Sequence, residues 1–394
     1  MKHLLFLGCI LLASMSSADD WRGVVSAEYR GFTSSALDSD QFSSYASLAI
    51  EPEYYHAWDS DRHSITFTPF YRWDQHDRER THVDIRELFW SYARDRYVFY
   101  AGVRKVFWGA TESQHLVDVI NQTDLVENPD GEDKMGQPML SITMLLDSGA
   151  IQFFLMPYFR ERTFPGENGR LRSMPRVDTE EAALYEDDKK RAHLDTAVRW
   201  SINSGNWDTG LSYFYGTSRE PQLIPAINSQ GEMVLLPYYE LMHQAGLDIQ
   251  GAEGGWLWKL EAISRNTKQD NFIAATGGFE YTFYNVHDSG FDIGLVMEYL
   301  YDDRGNAATT PFEDDVMLGV RLTPNDAQST EFLLGVIQDR DGKARSFSLE
   351  ASRRLTDHLK LDAEGRVFTG LAPSDPLYSL RQDDYLQLGL NYFF

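Results

Sequence analysis

The sequence predicts an all-β fold, a transmembrane antiparallel β-barrel of about 18 strands, with about 16 as the alternative count. Three observations support this prediction. Segments of some ten residues alternate between apolar and polar side chains, turn-forming residues separate them, and the connections alternate between short and long. Because successive side chains of a strand point to opposite faces, each segment has one face suited to lipid and one suited to water.

Composition narrows the class of protein. The chain has 394 residues, with 60 acidic against 36 basic side chains and a formal net charge of −24. Nucleic acid is therefore a poor partner, since phosphate binding needs a basic surface. Aromatic residues make up 13% of the chain, which argues against disorder, and the only cysteine is Cys9, which excludes a disulfide scaffold.

The N-terminus has the pattern of a secretory signal peptide over residues 1–18. Lys2 is followed by the apolar run Leu4 to Leu12 and by small residues up to Ala18. After residue 18 no run approaches the length of a membrane-spanning helix, and the mean hydropathy is −0.42. The sequence thus predicts an exported protein whose residues 19–394 form one barrel domain.

The last segment shows the strand pattern most clearly. Leu386, Leu388, Leu390, Tyr392 and Phe394 fall on one face, and mostly polar or small residues fall on the other. Strand 81–94 is the weakest, because Arg86-Glu87 interrupts its apolar register. The predicted strands are 22–32, 43–55, 61–74, 81–94, 96–107, 139–147, 149–160, 191–203, 205–215, 234–250, 255–265, 271–284, 289–303, 312–322, 327–339, 344–355, 357–369 and 382–394.

The connections between the predicted strands fall into short ones and long ones. With the N-terminus in the periplasm, short turns such as 147–149, 203–206, 251–254 and 356–357 lie on that side. The long connections are 33–42, 108–138, 161–190, 216–233, 304–311 and 370–381. Short periplasmic turns, long outer loops and an even strand number are typical of outer-membrane barrels, which indicates a bacterial outer-membrane location.

The chain resembles bacterial outer-membrane porins and porin-like channels. Its C-terminal segment Tyr385 to Phe394 is similar to their terminal strand, and the resemblance implies that Leu390, Tyr392 and Phe394 form the signal for the barrel-assembly machinery. Segments 85–90 and 102–109 are similar to motifs of uncharacterised or alginate-export-like porins, with Val103 standing between Gly102 and Arg104. Outer-membrane lipid, lipopolysaccharide and periplasmic chaperones are the further partners implied; a homo-oligomer stays open.

Loop 108–138 is the main candidate site. It carries seven acidic residues against Lys134 alone, and the resemblance implies that it folds into the barrel as a constriction. An outer loop holding divalent cations at the lipopolysaccharide surface is the alternative. The predicted constriction residues are Glu112, His115, Asp118, Asp124 and Glu127 of the loop, opposed by the wall residues Arg72, Arg104, Arg160 and Arg199.

The predicted function is passive diffusion of small hydrophilic solutes or ions, with a preference for cations or neutral solutes. Two alternatives remain: a conduit for exopolysaccharide export, and a structural barrel with a filled lumen, which inward Phe154 and Phe214 would favour. An enzyme is not expected, because no nucleophile motif accompanies His193 and Asp195. No cofactor or metal site is predicted either, since His115 and Asp118 supply two ligands at most.

Overall fold

Hydrogen bonds between strands that follow one another along the chain close a single 18-stranded antiparallel sheet into a barrel. The first strand pairs with the last over Val24 to Phe32 and Tyr385 to Phe393, so the sheet has no free edge. The computed structural model describes residues 20–394, the side chains of Asp20 and Asn306 excepted. The predicted fold class and the count of 18 strands are confirmed, and the predicted signal peptide lies outside the described residues.

The described residues contain 21 strands. The barrel is formed by β1 (Asp20–Phe32), β2 (Ser44–Trp58), β3 (His63–Asp74), β4 (His82–Arg94), β5 (Tyr97–Arg104), β6 (Gln137–Leu146), β7 (Gly149–Met156), β9 (Asp195–Ser204), β10 (Trp207–Thr217), β13 (Leu241–Glu253), β14 (Trp256–Thr267), β15 (Asn271–Phe283), β16 (Asp292–Asp302), β17 (Asp314–Thr323), β18 (Glu331–Asp339), β19 (Arg345–Thr356), β20 (Leu359–Thr369) and β21 (Tyr385–Phe393). The short strands β8 (Leu184–Tyr185), β11 (Gln222–Ile227) and β12 (Met233–Tyr239) form a separate sheet.

Helix is limited to four 3₁₀ turns in the described part of the chain, at Lys190–Ala192, Val286–Asp288, Gly305–Ala307 and Pro376–Leu380. None of these helices is long and apolar enough to cross a membrane.

One segment that was predicted to be a single strand forms two strands in the structure. The segment 234–250 divides at Glu240 into β12, which pairs with β11, and β13, which pairs with β10 in the barrel wall. β12 is a continuous apolar run and β13 follows it with alternating apolar and polar side chains, so no turn-forming residue marked the break in the sequence. The loop predicted over 216–233 accordingly contains β11.

A β-bulge explains the irregular register of β4. Thr68 pairs with Glu87 and the next residue, Pro69, pairs with Ile85, which leaves Arg86 as the extra residue. A bulge lets two neighbouring residues point to the same side of a sheet. Arg86 is buried and ion-paired inside the barrel, while Ile85 and Leu88 remain exposed on the outside.

The outside of the barrel is apolar along its middle and aromatic at both ends. Outward leucines such as Leu211, Leu318 and Leu388 are at least 41% exposed. Toward the short turns lie Trp21, Trp58, Trp90, Trp200, Trp207, Trp256 and Trp258, and toward the long loops lie Tyr29, Tyr71, Trp73, Tyr299 and Tyr301. An apolar band between two aromatic girdles is the exterior of a membrane-spanning barrel.

The long loops pack over one end of the barrel. Segment 157–194 is tied to three other loops. Arg170 pairs with Asp383, Arg172 pairs with Asp38, and the Gly166 N–H donates to Asp77. It also supplies β8 to the three-stranded sheet. Buried ion pairs thus connect the loops into a layer above the wall.

Gly102 is expected to be intolerant of a side chain. Its φ is +138°, and a Cβ atom would lie 2.1 Å from the Leu88 carbonyl oxygen. Gly102→Ala should therefore lower the free energy of unfolding by more than about 1 kcal/mol. The measurement is thermal unfolding followed on gels, where the folded and the heat-denatured barrel migrate at different rates.

Gly365→Ala is the matched control. A Cβ atom there meets nothing closer than 3.6 Å, so the free energy of unfolding should change by less than about 0.5 kcal/mol. Equal effects of the two substitutions would contradict the steric argument.

Candidate functional site: the loop inside the barrel

The connection between β5 and β6, residues 105–136, crosses the barrel and is anchored to the opposite wall. Glu261 of β14, which is fully buried, accepts hydrogen bonds from three backbone N–H groups of the loop. The distances are 2.7 Å from Ala110, 3.1 Å from Thr111 and 3.1 Å from Val117. A carboxylate that accepts several N–H bonds stays charged and holds its donors in place.

A second buried carboxylate, Glu298 of β16, anchors the same part of the loop. It accepts hydrogen bonds from the backbone N–H groups of Glu112 at 2.7 Å and Ser113 at 2.9 Å. The Glu112 side chain then forms ion pairs with Lys259 and Arg321, each at 3.0 Å. Burial raises the pKa of Glu112, but the two cations outweigh it and the net shift is downward. The loop tip is thus held by charged contacts to three neighbouring regions of the wall.

His115 joins the loop to itself and to the wall. Its Nε2 lies 3.1 Å from Glu132 and its Nδ1 lies 3.4 Å from Glu261. Burial lowers the pKa of His115, yet the hydrogen bonds to the two carboxylates raise it overall to about 10. The contribution of this ion pair to stability is therefore fully present below the ordinary histidine pKa and is lost only as the pH rises through about 10.

The returning limb of the loop is paired with the near wall. Asp124 accepts a hydrogen bond from Arg86 at 2.6 Å, and Glu127 lies 2.6 Å from Arg72. Asp118 pairs with Lys134 of the loop at 3.3 Å. These loop acids are buried and in direct contact with cations, so they do not face basic residues across an open gap.

Apolar side chains fill the barrel on one side of the loop. Val117, Val119 and Ile120 of the loop are buried against the inward faces of β6, β7, β9, β10 and β13 to β15. The wall residues of this cluster are Met139, Phe154, Met156, Ala197, Phe214, Met242, Ile263, Phe272 and Ala274, and Trp108 of the loop joins them. This half of the lumen is a packed core.

The other half holds a polar cavity of about 610 Å³. It lies between the loop and the inner faces of β1, β3 and β17 to β21. Eight carboxylates line it against three basic groups. The acidic residues are Glu28, Glu112, Asp130, Asp133, Glu331, Glu350, Asp362 and Glu364, and the basic ones are Arg72, Arg321 and Lys360. The open space of the barrel is thus off-centre and lined mainly by negative charge.

Two loop acids in this cavity have raised pKa values. Burial, with repulsion from Glu364 and Glu132, raises the pKa of Asp130 to about 6. Burial, with repulsion from Glu127 and Asp130, raises the pKa of Asp133 to about 7. The charge of the cavity therefore changes near neutral pH.

A second acidic cavity of about 510 Å³ lies at the loop end of β16 to β18. Asp302, Asp315 and Asp339 are among its lining residues. Along the same strands the buried cluster of Val296, Leu300 and Met317 stands between the two cavities.

The predicted constriction residues separate into groups. Glu112 and Arg72 line the 610 Å³ cavity. Asp118, Asp124, Glu127 and His115 serve as anchors of the loop. Arg160 pairs with Asp84 at 2.7 Å, Arg199 pairs with Asp248 at 2.6 Å, and the Arg104 guanidinium stacks 3.8 Å above the ring of Tyr100. A role in constriction stays a prediction for all nine.

Solved structures resemble the barrel along most of the chain. OccK11 (OpdR) of Pseudomonas aeruginosa is 9% identical, with a TM-score of 0.52 and 95% of each chain covered. The chain has the porin-type barrel fold. A triple mutant of the Rhodopseudomonas blastica porin is 10% identical, with a TM-score of 0.45 over 95% of this chain and 100% of that one. No protein-family model and no curated protein sequence matches the chain.

The site of this porin-type barrel also contains residues that were not among the predicted site residues. Glu261 and Glu298 anchor the loop, and Asp130 and Asp133 line the cavity. Inward acids at alternate strand positions were recognisable from the sequence as part of the lumen wall. Their contact with the loop was not, because the two segments are some 150 residues or more apart.

Removing the Glu261 carboxylate is expected to release the loop. Glu261→Ala leaves three backbone N–H groups without their acceptor, which should cost about 3 kcal/mol or more of stability. Single-channel conductance should rise, because the loop no longer narrows the lumen. Glu253→Ala, at the exposed last residue of β13, is the control. An unchanged conductance in a folded Glu261→Ala barrel would contradict this role for the loop.

Acidification is expected to reduce the predicted preference for cations. As the pH falls through about 6, Asp130 gains a proton and the cavity loses a negative charge. The reversal potential in a salt gradient, measured between pH 8 and pH 5, should move toward zero. Asp130→Asn should remove the part of the change in reversal potential that is centred near pH 6. If the reversal potential of this variant depends on pH as that of the unmodified protein does, Asp130 does not face the permeating ions.

Proposed function

We propose that the protein is an outer-membrane channel for the passive diffusion of small hydrophilic solutes and ions, in which the loop 108–138 forms the constriction. The observation that carries this proposal is the polar cavity of about 610 Å³ that remains beside the loop. A barrel of 18 strands is wide enough to leave an aqueous lumen after its side chains are placed. The loop occupies part of that lumen and leaves a narrower passage.

The exterior supports a membrane location. Its apolar band and two aromatic girdles match the core and interfaces of a bilayer. We propose Leu390 and Tyr392 of β21, with Phe394 directly after it, as the signal for the barrel-assembly machinery, and each of the three is at least 40% exposed. A signal read by another protein has to be accessible before the barrel closes, and these outward side chains meet that requirement. Lipid and lipopolysaccharide are the implied surroundings.

Charge favours cations as the permeating ions. The cavity carries more carboxylates than basic groups, and Asp133 and Glu331 make no ion pair among the described residues. Fixed negative charge in a narrow aqueous space raises the local concentration of cations and lowers that of anions. The same charge disfavours a conduit for an anionic polysaccharide.

A structural barrel with a closed lumen is the second candidate, and the apolar core favours it. Phe154 and Phe214 are fully buried in one apolar cluster with the loop, so part of the interior is filled by side chains. The polar cavity is what distinguishes the two functions. A barrel closed throughout would not conduct ions.

The His193–Asp195 pair has a structural role, which supports the non-enzyme interpretation. Asp195 is fully buried and accepts hydrogen bonds from Arg219 at 2.7 Å and from the Thr217 N–H at 2.9 Å. His193 lies 2.8 Å from the same carboxylate. These contacts hold the start of β9 to the end of β10.

Conductance of the refolded protein in a planar bilayer tests the proposal. A salt gradient should give a cation-selective reversal potential, and the pair Glu350→Gln and Glu364→Gln, which removes two lining charges, should shift it toward zero. Glu253→Gln, at the exposed last residue of β13, should leave the reversal potential unchanged. Anion selectivity would contradict the cation preference, and a folded barrel without conductance would favour the closed structural barrel.

A further inference from the structure

Three side chains on the inner side of β4 form a compact cluster of potential metal ligands. His82 begins β4, and Asp124 and Glu127 belong to the returning limb of the loop. The His82 Nε2 atom lies 3.7 Å from Asp124 Oδ2 and 3.6 Å from Glu127 Oε1. The three ligand atoms all lie within 4.8 Å of one another, and the two carboxylates are almost fully buried.

The imidazole of His82 is oriented as metal-binding histidines usually are. Its Nδ1 lies 3.0 Å from the backbone carbonyl oxygen of Arg80. Since a carbonyl oxygen only accepts hydrogen bonds, Nδ1 carries the hydrogen, and the lone pair of a neutral ring is on Nε2. Metal-ligating histidines commonly donate their other N–H to a backbone carbonyl in this way.

The Nε2 atom is buried and has no hydrogen-bond partner. A lone pair that faces two carboxylates is unfavourable unless a cation stands between them. A proton on Nε2 would be one such cation, but 3.6 Å and 3.7 Å are too long for hydrogen bonds. Two ligand atoms bound about 2.1–2.2 Å from one metal ion, at a near-tetrahedral angle, lie roughly 3.4–3.6 Å apart. The observed spacing fits an ion better than a proton.

Neighbouring residues hold both carboxylates in position. Asp124 accepts hydrogen bonds from Arg86 at 2.6 Å and from the Thr163 hydroxyl at 2.6 Å. Glu127 is held by Arg72. Each carboxylate oxygen has more than one lone pair, so an oxygen bonded to arginine can still bind an ion. Hydrogen-bonded carboxylates are the usual outer shell of a metal site.

Space for a further ligand lies beside the cluster. Of the three ligands, Glu127 lines a neighbouring cavity of about 150 Å³. The other charged residues of its lining are Glu51, Arg72, Arg86, Lys105, Asp133 and Lys134, and the cavity is large enough for water molecules. One imidazole, two carboxylates and a water match the coordination preferences of Zn²⁺.

We propose that His82, Asp124 and Glu127 bind a divalent transition-metal ion of the Zn²⁺ class, which fastens the loop to the wall at β4. The ion joins a wall residue to two loop residues, so binding stabilises the loop in its position across the lumen. This assignment rests on side-chain geometry and is independent of whether the barrel conducts.

Titration calorimetry with Zn²⁺ on the folded, chelator-treated protein in detergent tests the site. We expect one Zn²⁺ per chain and a rise in the unfolding temperature, with a visible absorption band when Co²⁺ replaces Zn²⁺. His82→Gln should weaken Zn²⁺ binding by more than about tenfold and abolish the rise in unfolding temperature. Asp124→Asn should act in the same direction, which keeps the test valid if one variant folds poorly.

His193→Gln is the matched control, because His193 also lies beside a carboxylate but belongs to no such three-ligand cluster in the described part of the chain. It should leave Zn²⁺ affinity unchanged. The proposal is overturned if the folded protein binds no Zn²⁺. It is equally overturned if His82→Gln and His193→Gln have the same effect on binding.

Discussion

Closure of the sheet between β1 and β21 is the constraint on which the rest of the structure depends. In a bilayer every backbone N–H and C=O group needs a partner within the protein, and a sheet provides this only when it has no free edge. Eighteen strands satisfy this requirement and also enclose a wide interior. The loop between β5 and β6 and its contacts occupy that interior.

Within the barrel, the position of the loop is decided by charge pairing. Glu261 and Glu298 are fully buried, and each carboxylate is satisfied by the N–H groups of a segment far away in sequence. Removing one partner of such a contact leaves a buried group unpaired, which is costly in a medium of low dielectric. The loop is consequently tied to one path, with apolar packing on one side and a polar cavity on the other.

This arrangement shows where the excess of acidic residues leaves negative charge unpaired. Many acids of the loop are neutralised by cations in contact with them, as Glu127 is by Arg72. The unbalanced negative charge concentrates instead around the cavity, where β18 to β20 contribute Glu331, Glu350, Asp362 and Glu364. The net charge of the whole chain does not show where this negative charge lies, because the pairing of acidic with basic side chains depends on which strands face the loop.

The sequence by itself determined the barrel. Its 18 strands, the alternation of loop lengths and the apolar outer face follow from local periodicity and turn chemistry, and even the irregular Arg86-Glu87 was visible as a break in register. Only the tertiary structure decided the site. Which half of the lumen is packed, which acids remain unpaired and which side chains meet His82 depend on contacts across the barrel. Local patterns carry no information about such contacts, since the contacts join segments that are far apart in the sequence.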